Sequence, residues 1–518
     1  MAGLTILNNA PQARFVGSKS TRVVMIGLVG SRWMAPRLLH AQLENAGFNV
    51  RTVFFREDFE FVSPPEEREY KALIALLEEF EPDLVGLGFV SYFLRDAIEM
   101  TRRIRETLTS TPIVWGGIHP SLEPEESLEH ADMVCIGEGD EAVVELAASI
   151  QAEDGRTDIQ NIWFKKDGEI IRNESRPLLH DLTSQPWADF SDDNKFYIVG
   201  GEVHRESNPT HYHKREYDIL TARGCPYICS FCVNHISFGE GKRLRRRSVE
   251  DVIGELKLAM EREPELKRIQ FWDDVFTYDK NWLAEFAPVY KKEIGLPFFC
   301  YVHPQMIARP QAKLLSEMGA ADVTMGIQHG SARIRKEYFD RLETDEQIIE
   351  AVAGLIDNGM TIRVDVISSA LTNSEEDNRE NMELLLKLPK PFIPSMHGMN
   401  YFPSYKLTKM ALDRGVITAD EVVGRSSRRK VKVTDEEIEH DPWLCYTSML
   451  GKRYVPNSLI RLMIRHDFHN RYPALLSSGT NWILRGGRML AGLKMIKRLN
   501  WRSIPEIPRY VIANFVNR

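Results

Sequence analysis

The chain is poor in cysteine: six in 518 residues, at positions 135, 225, 229, 232, 300 and 445. A disulfide-stapled secreted scaffold uses more of them in a shorter chain, so that class is excluded. Long apolar runs are missing too. No stretch of 18 or more uncharged apolar residues occurs, and no membrane-spanning helix is expected. The opening residues, Met1 to Asn9, lack a basic flank and a long apolar core, so no secretory signal is read there and the cytoplasm is the expected location. Nor is positive charge in excess. A net charge of −8 argues against a general nucleic-acid binder, and no nucleic-acid partner is expected.

What is present is an ordinary globular mixture, 43% hydrophobic and 27% charged, in a chain too long for one core. Residues 1–155 alternate short apolar runs with helical spacing. Strands are expected at Arg22–Gly30, Phe48–Phe54, Asp83–Val90, Pro112–Gly117 and Asp132–Gly137, and helices at Pro36–Ala46, Tyr70–Phe80 and Leu94–Leu108. The pattern is that of an α/β, doubly wound, Rossmann-like parallel sheet, whose ligands bind beyond the carboxyl ends of the strands. Gly30, Gly88, Gly116, Gly117, Gly137 and Gly139 lie at those ends. Residues 156–208 are expected as a hairpin turning at Asp167-Gly168, followed by a linker.

Between 209 and 420 a second alternating series begins. Its candidate strands are Asp218–Ala222, Arg268–Trp272, Phe298–Val302, Asp322–Ile327, Ile362–Ile367 and Ser395–Tyr401. Six such units suggest a full or partial (β/α)6 barrel with its active site on the loops after the strands. Residues 421–518 read as a mostly helical, basic region. From 451 onward it carries roughly 13 Lys/Arg against about 2 Asp/Glu, or about +11, which leaves about −19 for the rest. These amphipathic helices are expected either to cap the barrel against the acidic remainder or to lie on an anionic membrane surface. In the second case an apolar substrate would follow.

Three of the six cysteines fall in Cys225-Pro-Tyr-Ile-Cys229-Ser-Phe-Cys232, directly after the first strand of the second series. Cysteine thiolates are the usual protein ligands of iron–sulfur clusters, and three of them leave one iron of a [4Fe–4S] cube open. The alternative is a zinc site with His235 as fourth ligand, although the position at a barrel strand end argues against it. The Cys-x3-Cys-x-aromatic-Cys spacing, with Phe231 as the aromatic, resembles the radical S-adenosylmethionine superfamily. That resemblance implies a cluster held by Cys225, Cys229 and Cys232, S-adenosylmethionine on the open iron beside Phe231, and a 5′-deoxyadenosyl radical that attacks the substrate. It also implies a low-potential electron donor such as flavodoxin or ferredoxin.

The resemblance continues along the barrel. Asp273 and Asp274 in Phe271-Trp-Asp-Asp-Val-Phe-Thr277 stand where the family contacts the amino group of S-adenosylmethionine; the alternative is a solvated acidic turn. Gln328 in Gly326-Ile-Gln-His-Gly-Ser331 replaces a glutamate that contacts the ribose or carboxylate. The basic run Lys242–Arg247 either meets substrate or S-adenosylmethionine carboxylate or is a solvated charge run. The front region, with Trp115-Gly-Gly-Ile-His-Pro-Ser121 and Asp132–Asp140, resembles the cobalamin-binding domain of one large class of these enzymes. Ser91, Gly116, Gly117, Gly137, Glu138 and Gly139 are then the expected cobalamin contacts, the alternative being glycines that only turn the chain. The loop Gly30-Ser-Arg-Trp-Met-Ala35 offers no histidine to ligate cobalt. The activity implied is methylation or other remodelling of an unactivated carbon of a small molecule. A radical cyclase or rearrangement enzyme without cobalamin chemistry is the alternative.

Overall fold

The computed structural model describes residues 20–28, 30–57, 63–235, 244–423, 441–452 and 455–480. The first part of the chain builds a nine-stranded sheet from β1 (Arg22–Gly27), β2 (Asn49–Phe55), β3 (Leu84–Gly88), β4 (Ile113–Gly116), β5 (Met133–Cys135), β6 (Ile162–Lys166), β7 (Glu169–Ile171), β8 (Lys195–Val199) and β9 (Glu202–Arg205). Their order is β7-β6-β5-β4-β3-β1-β2-β8-β9. The central strands pair in parallel and are covered on both faces, which is why they read as unbroken apolar runs. The covering helices follow from local sequence. In Glu67–Phe80, Tyr70, Leu73, Leu77 and Phe80 recur at three- and four-residue spacing and are buried, and a Glu66/Glu69 capping box closes the amino end.

The stretch 156–208 is not a hairpin and linker. The expected hairpin, β6–β7, adds antiparallel strands to one edge of the sheet. At the other edge β8 pairs in parallel with β2, and β9 pairs back on β8. The signal in the sequence was the apolar run Phe196–Val199 ahead of Gly200-Gly201.

The second sheet is parallel throughout: β10 (Glu216–Ile219), β13 (Arg268–Phe271), β14 (Phe298–Val302), β15 (Ala320–Gln328), β16 (Thr361–Ser368) and β17 (Ile393–Gly398), in that order. A short antiparallel ribbon, β11 (Ala222–Arg223) with β12 (Arg245–Arg246), stands beside β10. No pairing of β10 with β17 is present among the described residues, so the barrel is partial.

Alternation fixes which residues face inward. Tyr217, Ile269, Cys300, Val323, Val364 and their neighbours two residues on pack into the outer core against the helices. The intervening residues therefore face the lumen: Asp218 on β10, Tyr301 on β14, Gln328 on β15, Asp365 on β16 and His397 on β17. Trp272, next after β13, continues the same face.

After the barrel, Pro442–Met449 places Trp443, Cys445, Tyr446 and Met449 in that outer core beside β17. The described part of the C-terminal region thus extends the outer layer. Residues 481–518, most of the expected basic tail, lie outside the described residues. No helix among the described residues is long and apolar enough to cross a membrane.

Candidate functional site: a cysteine loop beside a glycine-edged crevice

The loop from Cys225 to Cys232 leaves the β11 ribbon at the carboxyl end of the first barrel strand. It is tied down at its centre. The Ser230 amide donates to Phe339 O (3.3 Å), its hydroxyl donates to Tyr338 O, and Leu407 N donates to Ser230 O (3.0 Å). Burial pushes the Cys225 and Cys232 thiols up to about 12, and raises Cys229 as well, with the Arg341 guanidinium pulling back on it. Such thiols become thiolates only where a metal supplies positive charge.

The donor set fits a cluster better than one zinc ion. Thiolates around a tetrahedral zinc stand about 3.8 Å apart at ordinary Zn–S lengths. Among the described residues, the groups that bring three ligand atoms within 4.8 Å are His40/Glu44/Asp189 and Glu375/Asp467/His469; the three cysteines are more widely spread. The side chain of His235, the fourth ligand of the zinc alternative, lies outside the described residues. Two polar atoms around the loop are buried without a protein partner, Tyr227 Oη and His303 Nε2, whose rings stack at 3.8 Å.

Asp274 is open to the site, yet the protein crowded around it raises its carboxyl to about 6, against a hydrogen bond from Asn234. Asp273 is placed differently from the expectation. It is wholly buried and accepts from Thr221 N (2.7 Å), Ala222 N (3.0 Å) and the Thr221 hydroxyl, so it braces the strand that leads to the cysteines. Phe231 also turns away. It packs edge-on against Phe339 (5.4 Å) at the margin of a small apolar cluster with Ile334, Ile367 and Leu407. Gln328 sits at the carboxyl end of β15 with φ +65°, a backbone region that costs a non-glycine residue energy, and its amide folds over Gly326.

The charge run after the cysteines is neither solvated nor free. Arg245 is held by Glu138 (2.8 and 2.9 Å), Arg246 lies over the Trp282 ring (4.3 Å), and Arg247 pairs with Glu255 and Asp251. Lys242 and Arg243 lie outside the described residues.

The second half of the site is the crevice of the first sheet. The chain runs from β1 to β2 in one direction and from β1 to β3 in the other, so a topological switch point opens between β1 and β3. There three adjacent strands end on glycine in register, Gly27 against Gly88 and Gly88 against Gly116. A Cβ on Gly88 would meet no atom within 4 Å, and one on Gly116 only Cys135 Cβ at 3.7 Å. This bare edge fits a large flat ligand.

Gly117 is different. At φ +96°, a Cβ there would stand 2.7 Å from Phe89 O, so this glycine is needed for the turn itself. Gly137, at φ +76°, donates its amide to Ser121 Oγ (2.9 Å), and Gly139 lies against Cys135 Sγ. Two of the expected cobalamin contacts are engaged elsewhere. Ser91 is buried and its hydroxyl meets His119 Nδ1 (3.0 Å). Glu138 is committed to Arg245 and, at 3.4 Å, to Arg223.

Several contributors were not foreseen. Arg223, two residues before Cys225, is gripped by Asp140 (2.8 and 2.9 Å) from the loop after β5. Arg32, from the loop after β1, reaches Asp218 (3.3 Å) and lies over the Tyr212 ring (3.8 Å), while Trp272 Nε1 donates to the same carboxylate (2.7 Å). Arg341 is buried beside Glu343, donates to Gly326 O (2.7 Å) and stands 3.9 Å from Cys229 Sγ. At the far edge of the lumen, His397 Nε2 meets Asp365 (3.3 Å) and Ser395 Oγ (3.0 Å). The only sequence signal for these was charge at or just beyond strand ends. A surface hollow of ≈ 400 Å3 between Pro112, Leu146 and Lys165 opens at the opposite ends of β4 and β5 and takes no part in the site.

A glycine-edged sheet joined to a partial barrel that carries three cysteines at its first strand defines a two-cofactor enzyme. Residues 32–147 match the B12 binding domain model and residues 219–386 the radical SAM superfamily model. The chain belongs to the radical S-adenosylmethionine enzymes that carry an N-terminal cobalamin-binding domain. It is 25% identical over 329 residues to an uncharacterized methyltransferase of Pyrococcus horikoshii, covering 63% of this chain and 68% of that one. It is 24% identical over 314 residues to cytidylyl-2-hydroxyethylphosphonate methyltransferase of Streptomyces wedmorensis, covering 55% of this chain and only 57% of the relative. Among solved structures, the radical S-adenosylmethionine methyltransferase TsrM of Kitasatospora setae, with cobalamin and a [4Fe–4S] cluster bound, superposes with a TM-score of 0.62. The identity is 19%, over 76% of this chain and 78% of that one, and the likeness is one of fold.

Proposed function

We propose that this enzyme transfers a methyl group to an unactivated carbon of a small molecule held in the barrel lumen. The observation that carries the reading is the juxtaposition of the Cys225–Cys232 loop with the Gly27/Gly88/Gly116 edge, joined through Arg223 and Asp140. Both curated relatives named above are methyltransferases, which supports methyl transfer over cyclisation. Cys225, Cys229 and Cys232 would hold a [4Fe–4S] cluster, Gly88, Gly116 and Gly117 would border cobalamin, and the loop Gly30–Ala35 would give cobalt no histidine. When bound, these groups supply reductive cleavage of S-adenosylmethionine to a 5′-deoxyadenosyl radical and a carrier for the methyl group.

The chain's own residues do the rest. Asp274 offers an acceptor to the amino group of S-adenosylmethionine. Asp273 holds the approach to the cysteine loop rigid. Trp272, Tyr301, Asp365 and His397 give the lumen an aromatic wall facing a polar one. The electron donor is read as a flavodoxin or ferredoxin, and the location as the reducing cytoplasm.

The test is anaerobic reconstitution with iron, sulfide and hydroxocobalamin. Cys229→Ala is expected to lose the iron–sulfur absorbance and all formation of 5′-deoxyadenosine. Retention of the full absorbance would remove the ligand assignment. A wild-type protein with an intact cluster and no corrinoid uptake would leave a radical enzyme without methyl transfer.

A further inference from the structure

Four of the twelve large apolar side chains most open to solvent among the described residues fall within one short stretch. They are Leu459 (44% exposed), Leu462 (53%), Tyr472 (53%) and Leu475 (66%). Leu459 and Leu462 stand three apart on the helix Asn457–Arg465, whose opposite side buries Ile460 and Ile464. Tyr472 and Leu475 repeat that spacing on the next helical segment, where Leu476 is buried. The inner side of this stretch is firmly docked. Asn457 Nδ2 donates to Leu386 O (2.9 Å), and Arg379 donates to Ile464 O (3.2 Å) and pairs with Asp467. The exposed leucines are therefore not a frayed end but the outer face of an anchored element.

Charge identifies what that face meets. Exposed Arg465 and Arg471 flank the apolar pairs, and the local acid, Asp467, is already neutralised by Arg379. The 38 residues that follow in the sequence add eight Lys/Arg, one Glu and two tryptophans. The chain outside 451–518 is strongly acidic, so an anionic surface repels every other side of the molecule and attracts this one. Leucine and tyrosine between arginines are the composition of an interfacial helix face. We propose that residues 457–475 form a docking face for an anionic lipid surface, which seats the enzyme on a membrane without crossing it.

Flotation of the full-length protein with defined vesicles tests this. With vesicles of phosphatidylcholine and phosphatidylglycerol the protein is expected to float, and with phosphatidylcholine alone to stay at the bottom. Sodium chloride at about 0.5 M should release it, because the attraction is screened. Leu462→Ser/Leu475→Ser and Arg465→Gln/Arg471→Gln should each weaken flotation on the order of tenfold. An unchanged circular dichroism spectrum and melting temperature would confirm that these variants fold. Absence of flotation with either vesicle overturns the proposal, as does flotation that both double variants retain. Concentration-dependent dimers that the leucine variant abolishes, without lipid binding by the parent, would assign the face to a second copy instead and also overturn it. None of these outcomes depends on cluster or corrinoid content.

Discussion

His329 shows how a single buried side chain ties stability to pH. It is almost wholly enclosed after β15, and its Nδ1 accepts from Ser331 N (3.0 Å). Burial, aided by the Arg335 and Arg333 guanidinium groups and opposed by Asp377, pulls the imidazole down to about 4. The unfolded chain titrates near ~6.5. Between those values the unfolded state binds a proton that the folded state refuses. The stability is therefore whole above the unfolded pKa and is lost as pH falls from about 6.5 to 4, by about 3 kcal/mol in all. His329→Asn, which keeps an acceptor, should lose about 2 kcal/mol less than the parent between pH 7 and 5 in urea unfolding. Equal losses would show that the histidine charges freely in the folded protein.

The same scale shows what a sequence conceals. Asp273 and Asp274 are adjacent and identical in type, and a motif cannot separate them. The fold does, because Thr221, 52 residues away, claims Asp273 and leaves Asp274 open to the site. Glu138 and Ser91 were likewise legible as polar groups at strand ends, but their partners Arg245 and His119 come from other segments.

Among elements, legibility followed local pattern. The inner strands of both sheets announce themselves as apolar runs, and alternation on β14 to β16 separates core from lumen without any contact information. Strand β8 was passed over because it is five residues long and follows a proline-containing stretch; its burial depends on pairing with β2, some 140 residues earlier. The glycines at strand ends were legible as a set, but the reasons for them differ, and this separates two predictions. Gly88 has an ordinary backbone and open space at its Cβ, so Gly88→Val should change stability by no more than ~0.5 kcal/mol while obstructing the crevice. Gly117→Val forces a side chain onto a left-handed backbone and into Phe89 O, and should cost at least ~2 kcal/mol. Reconstitution with hydroxocobalamin, read as the corrinoid spectrum after desalting, should show Gly88→Val folded and corrinoid-poor. Full corrinoid content in that variant would move the cofactor away from this edge.

At the scale of the whole molecule, the two sheets meet through charge. Asp140 and Glu138, in and beside the loop after β5, enclose Arg223 and Arg245 of the ribbon that delivers the cysteine loop, while Arg32 reaches across to Asp218. Arg223 and Asp140 are both largely withdrawn from water, and the guanidinium holds the Asp140 carboxyl below its ordinary range against the effect of burial. Removing one member of such a pair leaves the other charged and unpaired, which typically costs 3–5 kcal/mol, whereas replacing both by apolar groups of similar size is close to neutral. Asp140→Ala should therefore destabilise the protein by about 3 kcal/mol. It should also speed proteolysis between the sheets and lower the iron content on reconstitution, since Cys225 follows Arg223 by two positions. Asp140→Leu combined with Arg223→Met should recover most of the stability. Recovery of stability without recovery of iron would mean that the seam aims the cysteine loop as well as holding it. An Asp140→Ala protein with unchanged melting, protease resistance and iron content would show that the two sheets dock independently of this pair.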